Sequence, residues 1–413
     1  MVDFADDVRG VADLLYDVKT DAVRSLTHRT VERSPPPYPE LLLLWQIGRF
    51  RTYRWRLRDD EAEDPLPVPF RRRLWLWRRG FTPSTDLRYD LDTYSLSDYV
   101  SDFEQYVLGR PVNHPWKNTL DDKLYNHLLM EPYDEHRMEM YGIVDGGDFY
   151  PLDWTASEES TDSGPSYENW RNNTSANGAA AARVDDRLDA EGTVVLKGNS
   201  GWGGKDVLIC SKEDGTHYVD GESRSRGEFE ETISTLDAYL VCEFVEQADY
   251  SDRLFPDATN TIRVLTLCDD EGAFVPAAVH HIGTEASKPI DNIDRGGIAA
   301  WVDVESGELS AAIEEDGIRI DRRATHPDTQ ARIEGTTVPG WPEIRERIAD
   351  IAESHAFTPY LGWDLLVDDS GDFTVVEVNS VPELKTYQTF RPLLRDRRTR
   401  RFFVDHGIVS ASR

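Results

Sequence analysis

The sequence predicts a mixed α/β protein carrying a helical N-terminal extension. Three observations carry that expectation. Residues 11–26, VADLLYDVKTDAVRSL, repeat apolar side chains at the period of one helix face. From Asp121 onward, short runs rich in Val, Ile, Leu and Thr alternate with turn residues, which is the pattern of strands. Between two such runs lies a glycine-rich segment, GNSGWGGKD, of the kind that lets backbone approach a ligand closely.

In chain order, residues 1 to about 110 read as helical, with a proline break at PPPYP (Pro35–Pro39). Within them, RFRTYRWRLR (Arg49–Arg58) and RRRLWLWRR (Arg71–Arg79) are rich in Arg and Trp. Contact of residues 49–79 with a membrane surface or glycolipid is one reading. An amphipathic helix whose arginines pair with the protein's own acidic surface is the favoured one, because concentrated salt weakens electrostatic docking. LLLLWQI (Leu41–Ile47) is far too short to cross a bilayer. The serine-rich acidic stretch Ala156–Tyr167 reads as a surface loop, and NGAAAARVDDRLDA as a helix feeding a strand over Thr193–Lys197. A second strand follows at Asp206–Cys210. Leu240–Gln247, Asn260–Leu267 and Phe274–Ile282 read as strands, and Gly362–Asn379 as a hairpin.

Asp and Glu number 77 against 46 Lys and Arg, a net charge of −31, while 39% of residues remain hydrophobic. Acid spread along a chain this apolar argues for a folded protein solvated at high salt rather than for disorder. A halophile's cytoplasmic protein is expected, and general nucleic-acid binding is not. Only eight of the basic residues are Lys, which makes Lys123, Lys197 and Lys205 informative. Cys210, Cys242 and Cys268 form no metal or disulfide pattern, and the acidic N-terminus lacks a signal-peptide core.

The glycine-rich segment fits neither familiar phosphate loop. A P-loop needs Ser or Thr after the lysine, where Asp206 follows Lys205, and a dinucleotide fingerprint needs glycine at 206. What remains is a hairpin whose first strand ends at Lys197 and whose tip, Gly201, Trp202, Gly203 and Gly204, can turn N–H groups toward phosphates. An ordinary glycine-rich hairpin is the alternative.

The C-terminal hairpin is more specific. A two-residue turn at Ser370–Gly371 sets Asp369 opposite Asp372, Val367 opposite Thr374 and Asp364 opposite Glu377. Directly opposed like charges, about 5 Å apart, are destabilising. Alternation adds Asn379 on the face of Glu377, so Asp364, Glu377 and Asn379 converge as hard oxygen ligands among Leu365, Val375, Val376 and Val378. One or two Mg²⁺ would remove the repulsion. An exposed edge bearing ordinary acid is the alternative.

In order along residues 120–389, LDDKLYNHLLM, VVLKGNSGWGGKDV, YLVCEFVEQ, FPDATNTIRVLTL, KPIDNIDRGGIAAWVD, THPDT, VPGW and LGWDLLVDDSGDFTVVEVNS resemble the ATP-grasp superfamily, specifically its sugar-transfer-associated branch. Ribosomal-protein glutamate ligase and D-alanine–D-alanine ligase are carboxylate–amine ligases of that superfamily. The resemblance implies a fold of two α/β subdomains clasping ATP. It places Lys123 and Lys197 on the α- and β-phosphates and the flap on Gly201, Trp202, Gly203 and Gly204. Backbone groups of Glu243 and Val245 fall on adenine and Glu246 on the ribose. Arg263 falls on the transferring phosphoryl group, Asn292 with Gly296 and Gly297 near the acceptor, and Asp364, Glu377 and Asn379 on the metal. There are two departures: Trp363 stands where related ligases carry Arg, so Arg263 is expected to bear more of the transferring charge, and His281 stands where the branch usually carries Arg, which removes part of the acceptor contact. The implied cofactors are ATP and Mg²⁺, two ions, with Mn²⁺ as a substitute. Expected domains are a helical region at 1–115, an ATP-grasp domain at 116–400 (nucleotide clasp about 190–250, acceptor and metal part about 255–390) and a tail at 401–413. The implied activity is ligation of a carboxylate to an amine through an acyl phosphate, with a sugar or glycan as one partner. A sugar or glycolipid kinase, a ligase unrelated to sugars and a nucleotide-binding accessory protein of a glycosylation complex are the alternatives.

Overall fold

The computed structural model describes residues 66–152, 180–199, 206–315 and 320–411. The Arg/Trp segment 49–58, the loop expected at 156–167, and Gly201, Trp202, Gly203, Gly204 and Lys205 lie outside them. Helices α1 (Phe70–Trp77) and α2 (Lys123–Leu129) precede strands β1 (Met140–Asp145) and β2 (Asp148–Pro151). Helix α3 (Ala180–Glu191) leads into β3 (Thr193–Gly198), β4 (Val207–Glu213), β5 (Thr216–Val219) and β6 (Glu222–Arg224), and helix α4 (Arg226–Ser234) into β7 (Tyr239–Glu243). Then come β8 (Ile262–Asp269), β9 (Gly272–Ile282), β10 (Ile298–Trp301), β11 (Ala312–Glu315) and β12 (Ile320–Arg323). Helix α5 (Trp341–Ser354), β13 (Tyr360–Val367), β14 (Phe373–Asn379), α6 (Leu384–Phe390) and α7 (Arg397–Asp405) complete the described chain.

The strands form two seven-stranded sheets, β2-β1-β7-β3-β4-β5-β6 and β12-β11-β10-β9-β8-β13-β14. In the first sheet, α3 and α4 bury Val184, Leu188, Phe229 and Ile233 against Val194, Leu196 and Val241. Val184 and Leu188 are four residues apart, hence on one face of α3. The helix stops where Gly192 adopts φ 76° and returns its N–H to Leu188 O (2.9 Å), a left-handed cap that only glycine takes without strain. A reciprocal Ser225–Glu228 capping box starts α4.

The second sheet is covered on both faces. Helix α5 packs Ile344, Ile348 and Ile351 over Val264, Ala278 and Trp363. The opposite face meets α6, α7 and residues 100–112 through Leu265, Val279, Tyr360, Tyr387, Phe402 and Phe403. Two-sided covering is why all eight residues of YLGWDLLV in β13 are buried without alternation. Residues 66–116 are stitched to this sheet by buried polar contacts. Gln388 accepts from Val100 N (2.7 Å) and donates to Val100 O (2.9 Å), and the Lys385 ammonium donates to Ser84 Oγ (3.0 Å). The described part of the N-terminal region therefore shares the core of the second sheet, and α7 runs across residue 400. On α1, Arg72 pairs with Asp86 (2.6 Å), while Arg72 and Arg79 lie over the Trp75 ring.

The β13–β14 hairpin differs instructively from its expected register. Asp364 does face Glu377, but Val367 faces Phe373, not Thr374. Asp368 builds a wider turn by accepting from Ser370 N (2.8 Å), Ser370 Oγ (2.7 Å) and Asp372 N (3.0 Å). That shifts the pairing by one residue, and a bulge between Asp364 and Leu365 shifts it back. The extra residue, Val376, lies against Met138, Leu240 and Cys242 in the space between the sheets.

Candidate functional site

Strand β8 lies beside β13 and pairs Arg263 with Asp364. The guanidinium holds both carboxylate oxygens, Nε–Oδ1 and Nη2–Oδ2 each at 2.7 Å, and Asn379 Nδ2 donates to Oδ2 at 3.3 Å. Glu377 Oε1 lies 3.5 Å from Lys123 Nζ. The facing carboxylates expected from the hairpin are thus compensated by two cations, one of them on a neighbouring strand that the hairpin does not reveal. Burial opposes charge on Asp364 and Arg263 alike. Their pairing overrides it, holding the Asp364 carboxyl below its ordinary range and Arg263 above its own.

Three further groups lie near this pair, one on β9, one on α6 and one in the loop before β10. His281 is 6% exposed, its Nε2 has no hydrogen-bond partner, and burial followed by the nearby Arg263 charge lowers its pKa to about 3. The Tyr387 hydroxyl is likewise buried without a partner, and burial raises its pKa. Asp291 accepts from Thr261 N and Oγ1, both at 2.6 Å, yet burial raises its pKa to about 6. Asn292 caps the turn that follows by accepting from Asp294 N (2.7 Å), and the turn ends at Gly296 with φ 98°. Gly297 has no room for a side chain, since a Cβ there would lie 2.5 Å from Asp291 O.

Along β14 of the acidic hairpin, the two sheets leave a small cleft of about 40 Å³. Its polar end holds Lys123, Lys197 and Glu377; its apolar part holds Met130, Met138 and Met140. Lys197 is half-buried, its Nζ 3.6 Å from Met138 Sδ. Burial lowers its pKa, and the positive charge of Lys123 lowers it further. At the end of β7, Glu243 extends the β1–β7 pairing of the first sheet. Glu243 N–H donates to Glu139 O (3.0 Å) and its carboxylate accepts from Glu139 N (2.7 Å). Val245 packs on the Met138–Cys242 cluster, and Glu246 is exposed.

The structure therefore brings Lys123, Lys197 and Glu377 to one cleft, with Arg263, Asp364 and Asn379 joined beside it through Asp364 opposite Glu377, and Asn292 next to Asp291, which bonds the residue before β8. Two carboxylates and an amide form a hard-oxygen donor set that fits a small divalent cation, although both Asp364 oxygens are engaged by Arg263. Among the described residues, no three His, Cys, Asp or Glu side chains gather as a metal site. No described helix is long and apolar enough to cross a membrane. Sequence reasoning missed Asn199, Asp291 and the three methionines. The signal for the methionines was their scarcity, with three of four lying between 130 and 140.

A family model described as sugar-transfer associated ATP-grasp matches residues 171–398. No curated protein matches the sequence. Among solved structures, the chain is similar to an ADP complex of the purK N5-carboxyaminoimidazole ribonucleotide synthetase (10% identity, 67% of this chain and 51% of that one, TM-score 0.34). It is also similar to the ATP-grasp ligase PsnB with a precursor variant, Mg and ADP (10%, 73% and 67%, TM-score 0.36). D-alanyl-alanine synthetase A from Vibrio cholerae is a third (9%, 70% and 64%, TM-score 0.38). The chain spans about half the length of the first of these.

Proposed function

The chain belongs to the sugar-transfer associated ATP-grasp family, and from that premise we propose that it is an ATP-dependent ligase joining a carboxylate to an amine. The observation that supports the reading is that Lys123, Lys197 and Glu377 line one cleft, with the Arg263–Asp364 pair directly beside Glu377 on the same hairpin and its neighbouring strand. Lysines at its polar end hold the nucleotide phosphates, and the glycine segment 201–204 covers them. The Met-lined part receives the base, bounded by Glu243 and Val245, with Glu246 at the ribose. Mg²⁺, one or two ions held by Asp364, Glu377 and Asn379, supplies charge neutralisation at the phosphate oxygens when bound. Arg263 then exchanges Asp364 for the phosphoryl group in transfer, and excluding water protects the acyl phosphate. Amine attack on the acyl carbon forms the C–N bond and expels phosphate. Asn292 borders the acceptor.

We read the carboxylate partner as a uronic acid of a glycan or sugar nucleotide, on the strength of the family's sugar-transfer association. The net charge supports a protein working in a concentrated-salt cytoplasm. The test is a screen of uronic acids and sugar nucleotides against amino acids in molar KCl, following ADP and free phosphate. A ligase releases both only when carboxylate and amine are present together. ADP release without free phosphate marks a kinase, and no turnover with any pair removes the reading.

A further inference from the structure

Asn199 is the last described residue before the glycine-rich segment, and each of its polar groups is engaged. Its backbone N–H donates to Ala238 O (2.9 Å), and its carbonyl accepts from Lys123 N (3.3 Å). The side-chain oxygen accepts from Leu124 N (3.0 Å), and the amide nitrogen donates to Asp122 Oδ2 (2.9 Å). Asp122 caps α2 with its other oxygen, which accepts from Tyr125 N (3.0 Å). One side chain thus ties the end of β3 to the first turn of a helix more than seventy residues earlier.

The two elements so joined each carry a lysine of the cleft. Lys197 stands two residues before Asn199 on β3, and Lys123 is the first residue of α2. Both line the cleft, where Glu377 Oε1 lies 3.5 Å from Lys123 Nζ. Glu377 offsets their charges, but holding the end of β3 against the start of α2 takes contacts to the backbones themselves. Asn199 makes them without touching either ammonium, leaving the Lys197 Nζ beside Met138 and the Lys123 Nζ toward Glu377.

We infer that Asn199 is a positioning residue, which sets Lys123 beside Lys197 so that both ammonium groups meet one phosphate chain. The inference rests on the nucleotide reading of the cleft. A mere structural staple would change stability and leave the lysines' joint action untouched, so the test must read coupling. Binding of ADP by the full chain in molar KCl is measured calorimetrically for the wild type, Asn199→Ala, Lys123→Ala and the double variant. Asn199→Ala is expected to weaken ADP about tenfold, the scale of one to two lost positioning hydrogen bonds. Added to Lys123→Ala, it should weaken binding by less than about twofold, because its beneficiary is already gone.

A reciprocal exchange supplies a second arm should Asn199→Ala fold poorly. Asn199→Asp sets two carboxylates together and should weaken ADP. Adding Asp122→Asn restores an amide–carboxylate pair with the same cap, and affinity should return to within about threefold of wild type. Unchanged ADP affinity in Asn199→Ala, additive losses in the double variant, or failure of the exchange to restore binding overturns the role of Asn199 while the nucleotide reading stands. A wild type that binds no ADP removes both.

Discussion

Adjacent histidines on β9 show how position decides charge. His280 Nδ1 faces the carbonyl of His281 (2.9 Å), which only accepts, so Nδ1 carries the proton; Nε2 then accepts from the Tyr250 hydroxyl (3.0 Å). Burial lowers the pKa of His280 to about 4 and that of His281 to about 3, so both are neutral in the fold. A depressed pKa contributes stability above the unfolded value, near 6.5, and loses it as pH falls toward the folded one. Between pH 6.5 and 4, wild type should lose stability more steeply than a His280→Gln, His281→Gln variant, by up to about two protons' worth of slope. Parallel denaturation curves would refute this. The cleft lysine makes a second residue-level test. Lys197→Ala should weaken ADP binding at least tenfold. Lys212→Ala, which only frees Asp185 and Asp189 on the far side of the first sheet, should leave ADP affinity unchanged. Equal losses would move the phosphates elsewhere.

At the scale of elements, the β13–β14 hairpin shows what a sequence reveals and what it withholds. The turn residues and apolar run made the hairpin legible, and Asp364 opposite Glu377 was read correctly. The turn itself was not, because Asp368 closes a wider loop through side-chain bonds that no two-residue rule contains. Register at the site survives only through the bulge at Val376. Asp368→Ala should therefore lower stability by about 1–2 kcal/mol, measured as a shift in denaturant midpoint. Since Asp368 touches no group of the cleft, ADP affinity should be unaffected. The Arg263–Asp364 pair was hidden for a different reason. Its members are 101 residues apart, and only the order of strands in the sheet makes them neighbours. Asn199 was hidden likewise, since its partners Asp122 and Leu124 belong to another element.

For the whole molecule, charge and composition set the terms. A net charge of −31 on 413 residues repels itself at low ionic strength. Salt screens that repulsion within about 3 Å at 1 M. The midpoint of thermal unfolding should rise continuously from about 0.2 to 3 M KCl, and a flat or falling curve would show that local ion pairs outweigh the net charge. The division into two subdomains was expected only from the resemblance to the ATP-grasp superfamily, not from the spacing of strand-like runs. The docking of residues 66–116 was not, because it depends on single buried contacts such as Gln388 with Val100, spread over nearly 290 residues of sequence.

The methionine content has a practical consequence. The chain holds four, and Met130, Met138 and Met140 all line the cleft. A sample labelled with carbon-13 at the methionine methyls is therefore a spectrometer tuned to one location. Titrated with nucleotide, it should move the three resonances of Met130, Met138 and Met140 together, reporting occupancy in a 47.1 kDa protein without assignment of any other signal.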